Sequence, residues 1–123
     1  MNDRDALSLL RAAVPAADGE AWADLGAGTG VFTRALASLV GPEGRVYAVD
    51  TDEAALDSVR AWASRTRGGP AVEALRGDVA RPLGLPPLDG AVMANVLHFV
   101  ADAGAALARV AEPDPKALAG GFD

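Results

Sequence analysis

The sequence contains no cysteine and only one histidine, His98, among its 123 residues. Without cysteine there can be no disulfide, no thiolate nucleophile and no cysteine-ligated metal site. The scattered carboxylates show no metal-ligand spacing, so we expect no metal. No apolar run approaches the ~20 residues that a membrane-spanning helix needs. We therefore expect no contact with a membrane and a location in the cytoplasm.

Positive charge is also scarce, because 11 lysine and arginine residues face 17 aspartate and glutamate residues, for a formal net charge of −6. An acidic chain lacks the basic surface that nucleic-acid binding requires, so we expect no nucleic-acid partner. Half of the residues are apolar, which is enough for one core. We predict a single domain over residues 1–123, with an N-terminal helical region at 1–18 and an irregular tail at 112–123.

A glycine-rich turn is the most informative stretch of the sequence. The apolar run at residues 21–25 leads into Gly26, Ala27, Gly28, Thr29 and Gly30, and a helical pattern of apolar residues follows at once. This order predicts a buried strand, a tight loop and an amphipathic helix. Glycines allow the loop to adopt positive φ angles and allow a ligand to approach its backbone.

The spacing of these glycines leaves three interpretations open. The dinucleotide fingerprint G-x-G-x-x-G would place its third glycine at Val31, one residue after Gly30. A nucleotide-binding unit is therefore disfavoured but still possible. The turn could also serve only to pack a helix on a sheet. The third interpretation is a loop for a different ligand, and Asp24, two residues before the first glycine, belongs to that pattern.

The rest of the chain alternates predicted strands, at residues 45–49, 71–76 and 90–94, with helical segments. A last helix is predicted after Asp102. This alternation indicates βαβ units and a parallel sheet. Polar residues fall at or near the carboxyl ends of the four strands, where open parallel sheets bind their ligands. They are Asp24, Asp50, Asp78 and Asn95.

The pattern Asp24-x-Gly26-x-Gly28-x-Gly30 resembles motif I of the class I S-adenosyl-L-methionine (SAM)-dependent methyltransferases, and the resemblance extends over residues 21–111. It implies an α/β fold with a Rossmann-like parallel sheet of strand order 3-2-1-4, flanked by helices. It implies SAM as the cofactor. Pro113 and Pro115 interrupt the last predicted helix, and residues 116–121 look like the approach to a fifth strand. Because the sequence stops just after them, we expect a fold truncated relative to the seven-stranded methyltransferase fold.

The same resemblance assigns the site residues. Asp24 and the glycine loop would face the amino-acid part of SAM, whose ammonium suits a neighbouring carboxylate. Asp50 would accept hydrogen bonds from the ribose hydroxyls, and Thr51 would flank the adenine. Asp78 would accept from the adenine amino group while the Val79 N–H meets a ring nitrogen. Asn95 would lie beside the methionine part. The implied cofactor-binding set is Asp24, Gly26, Ala27, Gly28, Gly30, Asp50, Thr51, Asp78, Val79 and Asn95.

The implied activity is methyl transfer to a small-molecule acceptor by in-line displacement. His98 is a candidate base, although a packing or substrate-lining role also fits it. Two alternatives stay open. One is a non-catalytic SAM-binding or interaction module, and the other is a nucleotide-dependent oxidoreductase.

Without the later strands of the family, the fourth strand and the apolar residues after it, 91–100, should form a long edge of the sheet. Bare edges of this kind are avoided by natural proteins. We therefore expect this edge to be covered by a second copy of the chain, in a homo-oligomer, or by a refolded C-terminal tail.

Overall fold

The computed structural model describes residues 1–79, 81–93 and 98–101, the last four by their backbone only. Three helices and five strands lie in this part of the chain. In chain order they are α1 (Asp3–Ala13), β1 (Ala21–Leu25), α2 (Val31–Val40), β2 (Arg45–Asp50), α3 (Glu53–Arg65), β3 (Ala71–Arg76), β4 (Gly90–Met93) and β5 (His98–Ala101). Among the described helices, none is long and apolar enough to cross a membrane.

The strands form one sheet in the order β3-β2-β1-β4-β5. The first four strands in this order are parallel, and β5 is antiparallel to β4. The predicted α/β class and the strand order 3-2-1-4 are confirmed. The parallel arrangement brings the carboxyl ends of β1, β2, β3 and β4 to one edge of the sheet.

The fourth strand predicted at residues 90–94 corresponds to β4, but the prediction of one long edge over residues 91–100 is wrong. The segment contains two strands that run in opposite directions, with Gly90 opposite Ala101 and Met93 opposite His98. The outer side of β4 is therefore paired within the same chain, and the predicted bare edge at β4 is absent from the described sheet. The predicted helix after Asp102 and the tail at 112–123 lie outside the described residues.

The core has one layer on each face of the sheet, since successive side chains of a strand point to opposite faces. Trp22 of β1 and Val46 of β2 pack with Leu10 of α1 and Leu36 of α2. The opposite face carries a second buried cluster, which consists of Ala23, Leu25, Tyr47, Val49, Leu88 and Ala91. Asp24 lies on the same face of β1 as Trp22, so its side chain points toward the helices.

The helix starts differ in a way that matters for the site. Asn2 caps α1 by accepting the N–H of Asp5, and Asp52 caps α3 by accepting the N–H of Ala54. The N-cap of α2 is Gly30, in a left-handed conformation and without a side-chain cap. The glycine loop therefore runs straight into a helix whose first turn has no capping side chain.

Candidate functional site

The glycine loop, residues 26–30, is fastened to the end of β2. The N–H groups of Gly26 and Ala27 both donate to the Val49 carbonyl oxygen, at 2.8 and 2.9 Å. The N–H of Gly30 donates to the Ala27 carbonyl oxygen at 3.0 Å. The loop is thus closed on itself and held against the neighbouring strand.

The three glycines have different reasons to be glycine. All three have positive φ angles, +80° at Gly26, +56° at Gly28 and +100° at Gly30. A Cβ at Gly30 would lie 2.9 Å from the Val59 Cγ2 of α3, so glycine also permits close packing there. A Cβ at Gly26 or Gly28 would meet nothing within 4 Å. The loop therefore has an open face above these two residues, where a ligand can approach the backbone.

Asp50, the last residue of β2, connects its own strand to the loop. Its Oδ2 accepts the N–H of Gly28 at 2.8 Å, and its Oδ1 accepts the N–H of Asp52 at 2.9 Å. These backbone hydrogen bonds hold the pKa of Asp50 below its usual value, and the bond from the Asp52 N–H has the largest effect. The result is a charged carboxylate beside the open face, and each oxygen keeps a further lone pair.

Asp24 lies at the foot of the loop and is fully buried. Its Oδ2 accepts the hydroxyl of Thr33 at 2.8 Å, whereas its Oδ1 has no hydrogen-bond partner among the described residues. Burial raises the pKa of Asp24 to about 6, against the opposing effect of the Thr33 hydrogen bond. Sequence reasoning missed Thr33. A hydroxyl in the apolar first turn of α2 is a possible signal, since buried carboxyls need donors.

The end of β3 joins the same edge, because the N–H of Gly77 donates to the Asp50 carbonyl oxygen at 3.0 Å. Asp78 and Thr51 are exposed there. The Asp78 carbonyl oxygen accepts the N–H of Arg81. The side chain of Val79 is partly buried against the second core cluster. The structure therefore brings Asp50, Thr51 and the Gly77–Asp78 turn together beside the glycine loop.

The side chains of two predicted site residues, Asn95 and His98, are outside the described part of the structure. Asn95 lies outside the described residues. His98 is the first residue of β5, where its backbone pairs with Met93. Within the described ranges, no group of three or more histidine, aspartate or glutamate side chains is arranged to hold a metal ion.

Two cavities lie away from this edge. One, of about 410 Å³, is lined by residues from the last turns of α2 and α3 and the start of β3. The other, of about 180 Å³, lies between α1 and α2. Neither is lined by the glycine loop, and those predicted cofactor residues that the structure describes border neither of them.

Comparison with known proteins gives a consistent result. The family model described as "Methyltransferase domain" matches residues 23–113. The release factor glutamine methyltransferase of Mycobacterium tuberculosis is 37% identical over 102 residues, which cover 78% of this chain and 32% of that protein. An uncharacterized 37.1 kDa protein in transposon TN4556 of Streptomyces fradiae is 37% identical over 117 residues, covering 92% of this chain and 33% of the relative.

Solved structures agree with the fold. TrmN from Thermus thermophilus is 34% identical with a TM-score of 0.59, over 72% of this chain and 26% of that one. Aeropyrum pernix fibrillarin, solved with natively bound SAM, is 21% identical with a TM-score of 0.62, over 96% of this chain and 50% of that one, and shows similarity of fold alone. The chain spans about a third of the length of the curated relatives it matches. On the strength of the matched family model, the sheet order and the glycine loop, the chain belongs to the class I SAM-dependent methyltransferase family.

Proposed function

We propose that this domain binds SAM at the glycine loop and transfers its methyl group to an acceptor. The observation that carries the proposal is the Asp50 carboxylate, which is hydrogen-bonded to Gly28 at the open face of the loop. A charged acceptor fixed beside an accessible backbone suits a diol such as the cofactor's ribose. The unused lone pairs of both oxygens can accept its two hydroxyls.

The environment of Asp24 supports the same cofactor. Its buried Oδ1 has no donor among the described residues. The ammonium of SAM is a donor of the complementary charge, and a nearby cation would favour the ionised carboxylate. The remaining members of the proposed set are Gly26, Ala27, Gly28, Gly30, Thr51, Asp78, Val79 and Asn95.

The hydrogen bonds of the loop argue against a dinucleotide. A pyrophosphate binds through free backbone N–H groups of a glycine-rich loop and the helix after it. Here the N–H groups of Gly26, Ala27, Gly28 and Gly30 all donate to acceptors of the protein itself. The carboxylates of Asp24 and Asp50 would also repel a phosphate. A ligand with positive charge fits this loop better than one with negative charge.

SAM supplies an already activated methyl group, so the work left to the chain is binding and alignment. The loop and Asp50 would fix the adenosyl part, and other residues of the chain would hold the acceptor in line with the methyl group. Alignment of this kind contributes on the order of 7–11 kcal/mol to lowering a barrier. A base is required only for acceptors that must lose a proton, and His98 stays a candidate for that role.

We propose a small molecule as the acceptor. The net charge of −6 disfavours RNA, although a relative named release factor glutamine methyltransferase makes a protein acceptor a second candidate. We also propose a cytoplasmic location and a homo-oligomer. In the described sheet β5 lies at the edge next to β4, so a second copy would meet β5 and not β4.

Thermal unfolding with SAM, S-adenosylhomocysteine or NAD tests the cofactor. A ligand at 100 times its Kd adds about 2.7 kcal/mol to the free energy of unfolding. We expect stabilisation by the first two compounds and none by NAD. Asp50→Asn should greatly reduce the response to SAM, since it removes the charge and one acceptor. Asp57→Asn, on the exposed face of α3, is the matched control and should respond like the wild type.

Stabilisation by NAD, or a full response of Asp50→Asn to SAM, would contradict the assignment. Methyl transfer from labelled SAM to candidate small molecules and peptides then separates the two acceptor classes. Binding without transfer to any acceptor would favour the non-catalytic module.

A further inference from the structure

Arg34, near the start of α2, links the glycine loop to the N-terminal helix. Its Nε and Nη2 donate to the two carboxylate oxygens of Asp3, at 2.7 and 2.8 Å. Its Nη1 donates to the backbone carbonyl oxygen of Thr29 at 3.1 Å. Since Thr29 lies between Gly28 and Gly30, a single guanidinium joins α1 to the last part of the loop.

This contact involves a different part of the loop from the one that β2 holds. The β2 side contributes the Val49 carbonyl and the Asp50 carboxylate, which receive N–H groups from the first three residues of the loop. Arg34 holds the part of the loop that leads into α2. The loop is therefore held at two places. Acceptors of β2 bind the N–H groups of residues 26–28, and the Arg34 guanidinium donates to the Thr29 carbonyl oxygen.

Hydrogen bonds that order a loop in the free protein matter more for a glycine-rich loop than for an ordinary one. Glycine without a Cβ samples many backbone conformations, so ordering three glycines in five residues costs more conformational entropy. A loop already ordered in the free protein spares this cost when a ligand binds. A residue that orders the loop without touching the ligand can in this way strengthen ligand binding.

The alternative interpretation is that Arg34 forms only a surface ion pair, which usually contributes little. Arg60 of α3 gives the comparison. It pairs with Glu53 and Asp57 and also donates to a backbone carbonyl, that of Ala74 at 3.2 Å. Its carbonyl contact reaches β3 rather than the loop. The Arg34 side chain is also less exposed, 24% against 42% for Arg60.

We propose that Arg34 is a positioning residue for cofactor binding. Through the Thr29 carbonyl it keeps the glycine loop in the shape that accepts SAM, and Asp3 holds the guanidinium in place. The inference rests on the proposed function and extends it. The N-terminal helix α1 would then contribute to cofactor binding through the Asp3 side chain.

Calorimetric titration of the full chain with SAM tests the inference on wild type, Arg34→Ala and Arg60→Ala. Arg34→Ala loses the hydrogen bond from the charged guanidinium to the Thr29 carbonyl, and the loop becomes less ordered. We expect the Kd for SAM to rise about tenfold. The Kd of Arg60→Ala should stay within about twofold of wild type, even though its melting temperature falls. An unchanged Kd in Arg34→Ala, or an equal loss in both variants, overturns the inference.

Hydrogen exchange of the loop amides, measured without ligand, gives a second readout. Amides of residues 26–30 should exchange faster in Arg34→Ala than in Arg60→Ala, and equal rates contradict the inference. This readout separates the two proposals. Failure of the wild type to bind SAM would overturn the proposed function, whereas exchange would still report whether Arg34 orders the loop.

Arg34→Lys distinguishes geometry from charge. Lysine keeps the positive charge but cannot engage both Asp3 oxygens and the Thr29 carbonyl with one planar fork. We expect its Kd to lie between those of wild type and Arg34→Ala. Full recovery with lysine would show that charge alone is sufficient and would overturn the positioning role.

Discussion

Asp24 is a buried carboxyl group with one strong donor, the Thr33 hydroxyl, for its two oxygens. Desolvation disfavours its charged form, and this effect exceeds that of the hydrogen bond, which is why the pKa rises to about 6. A carboxyl that holds its proton more tightly in the folded chain than in the unfolded chain links stability to pH. Its stabilising contribution is complete below the unfolded pKa and is lost as the pH rises through the folded pKa.

Replacement of Asp24 by asparagine should remove this pH dependence. Between pH 7 and pH 5 the wild type should gain about 1 kcal/mol of unfolding free energy relative to Asp24→Asn, because protonation of Asp24 favours the folded state. Urea denaturation at several pH values measures the difference. The carboxyls with lowered pKa, Asp3 and Asp50, lose their contributions at lower pH and so fall outside this window.

Thr33→Val provides a second variant in which Asp24 is kept and its donor is removed. The pKa of Asp24 should rise further, so the gain in stability from pH 7 to pH 5 should exceed that of the wild type. A pH dependence equal in wild type, Asp24→Asn and Thr33→Val would show that Asp24 does not titrate in this range.

At the scale of elements, the pairing of β1 with β4 places Gly90 opposite Trp22, and the absence of a Cβ at Gly90 leaves room for the indole ring. A Cβ at Gly90 would lie 2.4 Å from Cη2 of Trp22, which is itself almost fully buried. Gly90→Ala should therefore lower the unfolding free energy by about 1–3 kcal/mol, since the ring and strand must shift. Denaturant unfolding measures this loss.

Gly69→Ala is the matched control for this prediction, because its Cβ would lie at an ordinary 3.7 Å from Thr66. A change within about 0.5 kcal/mol is expected there. In the Trp22→Phe background the additional cost of Gly90→Ala should shrink, since the smaller ring leaves space. Equal costs in both backgrounds would show that the Trp22 contact is not the cause.

The sequence was informative where a structure depends on local pattern. The predicted strands at residues 71–76 and 45–49 correspond to β3 and β2, with one residue added to β2. The long edge predicted over residues 91–100 was wrong because the apolar run includes residues of both β4 and β5. Strand direction in such a run depends on pairing across the sheet, which residue type and period do not reveal.

The candidate site was predictable where it depends on the order of the strands, and not where it depends on contacts between helices. The parallel-sheet rule brought Asp50 and the glycine loop to one edge, and the structure joins them by a hydrogen bond. The contacts of Thr33 with Asp24 and of Arg34 with Asp3 were missed. The second pair is separated by 31 residues in sequence. Only the packing of α1 and α2 brings it together, and no spacing rule encodes that packing.

On the scale of the whole molecule, the net charge of −6 should influence which form of the cofactor binds best. SAM carries one more positive charge than S-adenosylhomocysteine, because its sulfonium becomes a neutral thioether after methyl transfer. If SAM binds as proposed, an acidic chain should attract the charged form through its long-range field as well as through Asp24 and Asp50. We expect the same difference to favour product release.

Salt should therefore weaken SAM binding more than S-adenosylhomocysteine binding. The screening length falls from about 10 Å at 0.1 M salt to about 3 Å at 1 M, so the long-range part of the attraction is removed. We expect the ratio of the Kd of SAM to that of S-adenosylhomocysteine to rise about two- to threefold over this range, as measured by calorimetric titration. The neutral thioether is the internal control, because both ligands share the adenosyl and amino-acid parts. A ratio independent of salt would show that the overall charge has no role. Any difference between the two ligands would then come from short-range contacts beside the glycine loop.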